Sequence, residues 1–556
     1  MEDPNAEARA DESVLLRIPS ELLAAICVFL PNKDIKALRL AGPSICHAVP
    51  PRFSRVFLSP NPRNVAVFRA IASHPTFRLS VREIVYDDAR LADPDVDRDR
   101  LNDATRADAH EELSDVDAWM GAGLQLAAKE GAKRAWFGSR RERNLRELHG
   151  RNANDTGNLE KKKERAGQRA AHPPLETCYQ HYLGLVREQT KMMEAGEDIK
   201  ALIEGIEAFP ALERITITPA THGYLYTPLY CTPMIRSLPY GFNGPIPRGW
   251  PTSKDTPLQR LLPWVTGSDW NENDVKRQKE RWRGLVLVIK TLAERIRNGQ
   301  SVVAGLVMDV HSLNTGVSPY MLTQECEEYD NLKLILQHPG FHRLELPILI
   351  TGVQHNDVAI LENGRLKSLL ASAQHLQHFR LRGDGQIDPD SPSPRRFFPL
   401  QTLVPVDAWP QLRHFGLSKF VVRIADLVAA LARLPPTLRS VELSFLDFHG
   451  SERRENHEGL LEQMKLKLPW ATWPADARPQ VTMGMAKVTN NVDGRGLWFS
   501  KEIGEYLYGD KRNPFDWHRD VLLPGVGWLR DEYDEDFARP YLGYKDYRAL
   551  WYSEES

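Results

Sequence analysis

Residues able to do chemistry are scattered through these 556 residues, and their spacing decides against each candidate. DPDVDRD (Asp93, Asp95, Asp97, Asp99) alternates carboxylates as a calcium loop does. Such a loop needs a glycine at its sharp turn and a bidentate glutamate at its end. Arg98 or Arg100 stands at the turn, and Ala104 or Arg106 at the glutamate position, which leaves a solvated acidic turn. HPGFH (His338, His342) and HLQH (His375, His378) have helical ligand spacing, but both open strand-like runs and lack nearby cysteine or carboxylate partners. HEELS and HEGLL each lack the second histidine of a zinc-protease helix, and no nucleophile elbow or phosphate-binding glycine loop occurs. KRAWFGSRRERNLR (133–146) and KKKER (161–165) could contact phosphate or act as a nuclear address; they read as a solvated charged insert. The expectation is a non-enzymatic chain with no catalytic residue, no metal ligand and no cofactor.

The elements that remain are apolar. Hydrophobic residues make up 42%, charged residues 26%, and the net charge is −2, so nothing draws the chain globally to nucleic acid or anionic lipid. Five scattered cysteines without a C-x-x-C pair predict a reducing compartment, cytoplasmic or nuclear. The acidic start MEDPNAEARADES is unlike a secretory signal, and no apolar run is long enough to span a membrane.

A triplet of apolar residues at n, n+3 and n+5 recurs: Phe53/Val56/Leu58, Val81/Ile84/Tyr86, Leu212/Ile215/Ile217, Val303/Leu306/Met308, Phe341/Leu344/Leu346, Leu376/Phe379/Leu381, Leu412/Phe415/Leu417 and Leu438/Val441/Leu443. Four copies carry a proline two positions earlier, and the last four begin 35, 36 and 26 residues apart. Helical periodicity precedes several of them, as in Ile199, Leu202, Ile203 and Ile206, or Leu285, Val288, Ile289, Leu292 and Ile296. Leu460, Leu461, Met464 and Leu468 predict one more helix, and VTMGM (481–485) one more strand. A strand with one helix behind it cannot close a core alone, so the units must stack. The predicted fold is α/β: an irregular leucine-rich-repeat-like solenoid of parallel strands with helices on the convex side. A doubly wound sheet is the alternative.

The repeats are expected at 53–91 and 176–485. Between them, 92–175 is charged and predicted partly disordered, with 108–134 able to form helix and 138–172 favouring disorder. Within the array, 219–275 is a Pro- and aromatic-rich loop. Its Tyr224, Tyr226, Tyr230, Tyr240, Phe242 and Trp250 could contact a bound protein or plug the array. Residues 486–556 read as an irregular C-terminal cap.

Residues 12–52 precede this array, and their stretch 16–40 holds nine leucines and isoleucines, seven of them on two short predicted helices. Leu22, Leu23, Ile26 and Leu30 form one stripe, and Ile35, Leu38 and Leu40 another, with Leu16 and Ile18 leading in. Pro19 and Glu21 suit a helix start, Pro31 stops the first helix, and Asn32 is a candidate cap for the second. IPSELLAAICVFLPNKDIKALRLA is similar to the F-box, through Pro19, Glu21, Leu22, Leu23, Ile26, Leu30, Asp34, Ile35 and Leu38; it departs at Ala41-Gly42-Pro43. The whole chain looks like a fungal-type F-box protein with degenerate leucine-rich repeats. That resemblance implies a small all-α N-terminal unit docking on the Skp adaptor, and through it cullin, in an SCF-type ubiquitin ligase. Ile18, Pro19, Leu22, Leu23, Ile26, Leu30, Ile35 and Leu38 would make the adaptor contact, and the repeats would hold an unknown protein substrate. An interaction scaffold that delivers no substrate is the alternative.

Overall fold

The apolar triplets become strands held in one register. The computed structural model describes residues 18–27, 29–30, 32–49, 51–93, 122–154, 159–252, 263–267, 270–300, 303–350, 359–385, 397–449, 456–485, 494–515 and 525–541. Its strands are β1 (Arg55–Leu58), β2 (Glu83–Asp87), β3 (Arg214–Thr218), β4 (Gly305–Met308), β5 (Arg343–Ile348), β6 (His378–Gly383), β7 (His414–Ser418), β8 (Val421–Val422), β9 (Ser440–Ser444), β10 (Asp447–Phe448), β11 (Gln480–Met485), β12 (Arg495–Phe499), β13 (Trp528–Asp531) and β14 (Asp534–Pro540). Twelve form one sheet in chain order, β1 to β7, then β9, then β11 to β14; β8 and β10 pair as a small ribbon. From β1 to β11 the sheet is parallel, and β12 to β14 close it antiparallel. Among the described residues the order never reverses, so they contain no switch point of a doubly wound sheet.

Residues two apart on a strand share a face, which is why the n+3 and n+5 positions form continuous columns. The first runs Val56, Ile84, Ile215, Leu306, Leu344, Phe379, Phe415, Val441, Val481, each opposite the next. No side chain of the two columns is more than 3% exposed. Burying each contributes about 1.5–3 kcal/mol relative to leaving it in water. Helix residues complete the same core: Leu285, Val288, Ile289 and Leu292 of Arg283–Arg297, and Leu460, Leu461 and Met464 of His457–Lys467. Ile203, expected on a buried helical face, is 38% exposed.

Helices α1 (Ser20–Cys27), α2 (Asn32–Leu40) and α3 (Pro43–Ala48) precede the sheet and share a separate small core of Leu23, Cys27, Ile35, Ile45 and Val49. Gly42-Pro43, where the chain departs from the F-box pattern, starts the third helix, with Pro43 at its first turn. Asn32 donates its side-chain amide to the Arg52 carbonyl (2.9 Å). Arg39 donates to the Cys46 and Val49 carbonyls, which satisfies the end of α3.

After α4 (Pro62–Ser73), the insert departs from expectation. Residues 138–172, whose composition favours disorder, lie largely within α5 (Ala122–Asn154) and α6 (Leu159–Ala170), followed by α7 (Leu175–Ala195) and α8 (Glu197–Ala208). Residues 94–121, with most of DPDVDRD, lie outside the described residues. The ordering has a physical source: Trp136 and Phe137 pack on Tyr179 and Tyr182, and Arg141, Arg151 and Arg165 are buried with partners rather than solvated. The expected irregular cap also differs, since 494–541 supplies β12, the helix Lys501–Tyr508, β13 and β14.

Candidate functional site

The eight residues expected to meet an adaptor fall into three groups. Leu23 (3% exposed) and Ile35 (1%) face the unit's own core, so they shape it rather than present a contact. Ile18, Leu30 and Leu38 are partly buried against that core. Pro19 is exposed, and Leu22 (57%) and Ile26 (46%) lie open, one turn apart on α1. Phe29 (87%), which sequence reasoning passed over, and Leu40 (88%) are open as well.

The loop aromatics are mostly spent on packing. Trp250 is buried and donates its indole N–H to Asp88 Oδ2 (2.7 Å), while the Gly284 amide donates to the other oxygen (2.9 Å). Tyr226 donates to the Gly241 carbonyl (3.0 Å), and Phe242 lies against His181. Tyr230 stacks between Arg55 and Phe57 and hydrogen-bonds His311 Nε2 (3.2 Å). Tyr224 meets Tyr533 ring to ring at 4.6 Å. Tyr240 alone of the six is largely open, at 61%. Five of the six are therefore committed to packing or hydrogen bonds within the chain.

Tyr533 fixes a feature that sequence could not: curvature. Strands β4 and β13 stand seven interstrand steps apart in the sheet order, about 34 Å if the sheet were flat. Yet the hydroxyl of Ser312, just past β4, hydrogen-bonds that of Tyr533, just past β13, and His311 Nδ1 lies 3.9 Å from Glu532 Oε2. Lys419, after β7, reaches the same loop through Asn314 Oδ1 (2.7 Å). The C-terminal ends of the parallel strands therefore converge, and the sheet bends round its polar face. His311, Lys419 and Phe445 sit along this rim with φ of 49°, 54° and 54°, a left-handed backbone that costs a bulky residue of order 1–3 kcal/mol. Gly383 is required here, because a Cβ would lie 2.4 Å from the Lys419 carbonyl oxygen.

The polar face below the rim carries charge in rows. Glu83 receives Arg55 Nε (2.8 Å), Arg214 Nη2 (2.8 Å) and the Thr216 hydroxyl (2.6 Å). Burial alone would raise its carboxyl, but these donors hold it at about 2. Glu345 is treated likewise: burial opposes, while His378, Arg343 and Arg380 hold it well below the usual carboxylate range. Arg380 Nη2 crosses to Glu442 Oε1 (2.6 Å) over Gly416, whose missing side chain gives it room. The His378 and His414 rings stack at 4.1 Å; burial, then His378 and Arg380, push His414 down to about 3. His338 and His342 serve turns and carbonyl contacts, and among the described residues no three histidine, cysteine or carboxylate groups converge as a metal site would.

Arg382 is the exception on this face. It has no hydrogen-bond or ion-pair partner among the described residues, its Nε is sealed from solvent, and the residue stays half-buried. Ser418, opposite it on β7, has a buried hydroxyl without a partner, as does Glu532 Oε1 on the facing turn. The run HFRLRG could have flagged Arg380 and Arg382, since both alternate with inward Phe379 and Leu381. Nothing local could have brought Glu532 to them.

No protein-family model and no curated protein matches the chain. No described helix is long and apolar enough to cross a membrane.

Proposed function

We propose that the chain is a substrate receptor for an SCF-type ubiquitin ligase. In this reading α1 to α3 form an F-box-like unit that docks on the Skp adaptor. The rest forms a leucine-rich-repeat-like solenoid whose polar, concave face holds a protein substrate, with the helices on the convex side. The observation that carries it is the open set Leu22, Ile26, Phe29 and Leu40, 46–88% exposed on a helical unit that already has its own core. Apolar surface left open in this way marks an interaction site. Burying four such side chains against a partner yields roughly 6–12 kcal/mol gross at about 1.5–3 each, set against an association cost of about 4–15 kcal/mol. Leu23 and Ile35 contribute by holding the shape of the unit.

The test is recovery of Skp adaptor and cullin with the full chain. Ile26→Asp places a charge on the open face and leaves the small core untouched, so recovery should be abolished while the circular dichroism spectrum stays unchanged. Full recovery with the folded variant removes α1 as the docking element. A protein whose abundance rises when the chain is deleted separates a receptor from a scaffold.

A further inference from the structure

The three unpartnered groups at the rim point to a ligand, and their chemistry narrows it. Arg380 is already committed to Glu442, and Lys419 to the loop after β4. Arg382 has no hydrogen-bond or ion-pair partner among the described residues, and its Nε is buried without an acceptor. Burying this guanidinium costs desolvation, which the charges of Glu532, Asp309 and Glu442 offset only in part and without a hydrogen bond to it among the described residues. Buried polar groups left without partners are rare enough in native proteins to need a reason. Here three of them, Arg382 Nε, Ser418 Oγ and Glu532 Oε1, belong to one rim.

We infer that this rim is a receptor for a single carboxylate on a peptide, with Arg382 as the anchor. The guanidinium fork matches a carboxylate with two parallel N–H donors. A doubly charged phosphate fits less well, because Glu532, Asp309 and Glu442 are the carboxylates acting on Arg382, and a dianion would meet their repulsion. The orphaned Glu532 oxygen calls for a donor on the same ligand, as the N–H beside a peptide carboxylate would be. The carboxylate is either an acidic side chain or a chain terminus. This inference rests on the polar face being the substrate surface, and it is independent of whether α1 binds an adaptor.

The experiment uses the full chain with the peptide Gly-Gly-Glu-Gly, its C-terminally amidated form and sodium phosphate as probes, read by titration calorimetry. Wild type should bind the peptide saturably, and Arg382→Met should weaken it by about tenfold to a hundredfold, the range of a hydrogen bond to a charged group. Arg382→Lys should restore part of the loss. Binding that survives amidation assigns a side-chain carboxylate, and binding lost on amidation assigns the terminus. In the absence of ligand, Arg382→Met should melt at the same temperature as wild type or higher. A lower melting temperature would make Arg382 a structural residue and overturn the inference. Unchanged peptide affinity, or phosphate bound more tightly than peptide, would do the same. Adaptor recovery is measured separately, so failure of one reading leaves the other intact.

Discussion

Asp531→Asn tests the curvature of the sheet through one buried ion pair. Arg151, at the end of α5, donates through Nη2 to both oxygens of Asp531 on β13 (2.8 and 2.7 Å), 380 residues away, and Arg495 Nε adds a third bond at 3.0 Å. The side chains of Arg151 and Asp531 are 7% and 0% exposed, and the Arg151 guanidinium lies over the rings of Tyr224 (5.6 Å) and Tyr533 (5.0 Å). Asn keeps the shape and removes the buried charge that the two guanidiniums share. Breaking a buried pair from one side costs about 3–5 kcal/mol. Because the pair joins the insert to the far end of the sheet, the loss falls first on the insert. Hydrogen exchange of the amides in 141–154 should accelerate by about a hundredfold to a thousandfold, while β5 to β7 keep their protection. Arg151→Met should cost less in the Asp531→Asn background than in wild type, since the two share one interaction. Exchange in 141–154 that stays within about twofold of wild type would refute the claim that this pair holds the insert across the rim.

Two predictions concern pH. Burial, reinforced by the neighbouring Asp88, pushes Asp87 up to about 7, against opposing bonds that include the Ala89 amide. The folded state therefore binds a proton the unfolded state has lost, and stability falls as pH rises from about 4 to about 7. Asp87→Asn removes this dependence and should gain up to about 3–4 kcal/mol at pH 8 but little at pH 4 by urea titration; equal effects at both would refute it. Glu83, held at about 2, has the opposite sign. Its contribution is complete above about pH 4.5 and lost as pH falls towards 2. Glu83→Gln should cost about 2–3 kcal/mol at pH 7, allowing for the half-open Arg55, and should flatten the acid limb of stability. An unchanged acid limb would count against it.

The parallel strands were legible because each buries n+3 and n+5 in one common core, and a stack of similar units repeats that demand residue by residue. Val56 and Val481 lie at opposite ends of the parallel run, yet they occupy one column. What stayed hidden depends on partners distant in sequence. The described part of the charged run 138–172 is largely helical because Arg141, Arg151 and Arg165 find the Pro173 carbonyl, Asp531 and Asn152; composition registers only the charge. Trp250 could have been a contact residue until Asp88 claimed its indole N–H. On α1 and α2 the apolar spacing did not tell which residues face inward. Helix α3 settles that, since its Ile45 joins Leu23 and Ile35 in the small core and leaves Leu22 and Ile26 open.

Curvature also explains why the rim, rather than the aromatic loop, is the better place for a ligand. Bending the sheet brings the loops after β3 and β4 onto the β13–β14 turn, and the gap between such loops has to be filled. Tyr224 lies against Tyr533 of that turn, and Tyr226, Tyr230 and Trp250 each have a fixed partner as well. A residue held this way is costly to recruit for binding, because any contact it makes must first break one it already has. Arg382 faces the opposite balance. It is held on a central strand between Pro347 and Ser418 in register, its backbone is fixed by pairing on both sides, and among the described residues its guanidinium has no hydrogen bond to give up. A rigid strand that presents an unsatisfied group is preorganised, so the ordering cost that weakens loop-based recognition is already met before a ligand arrives.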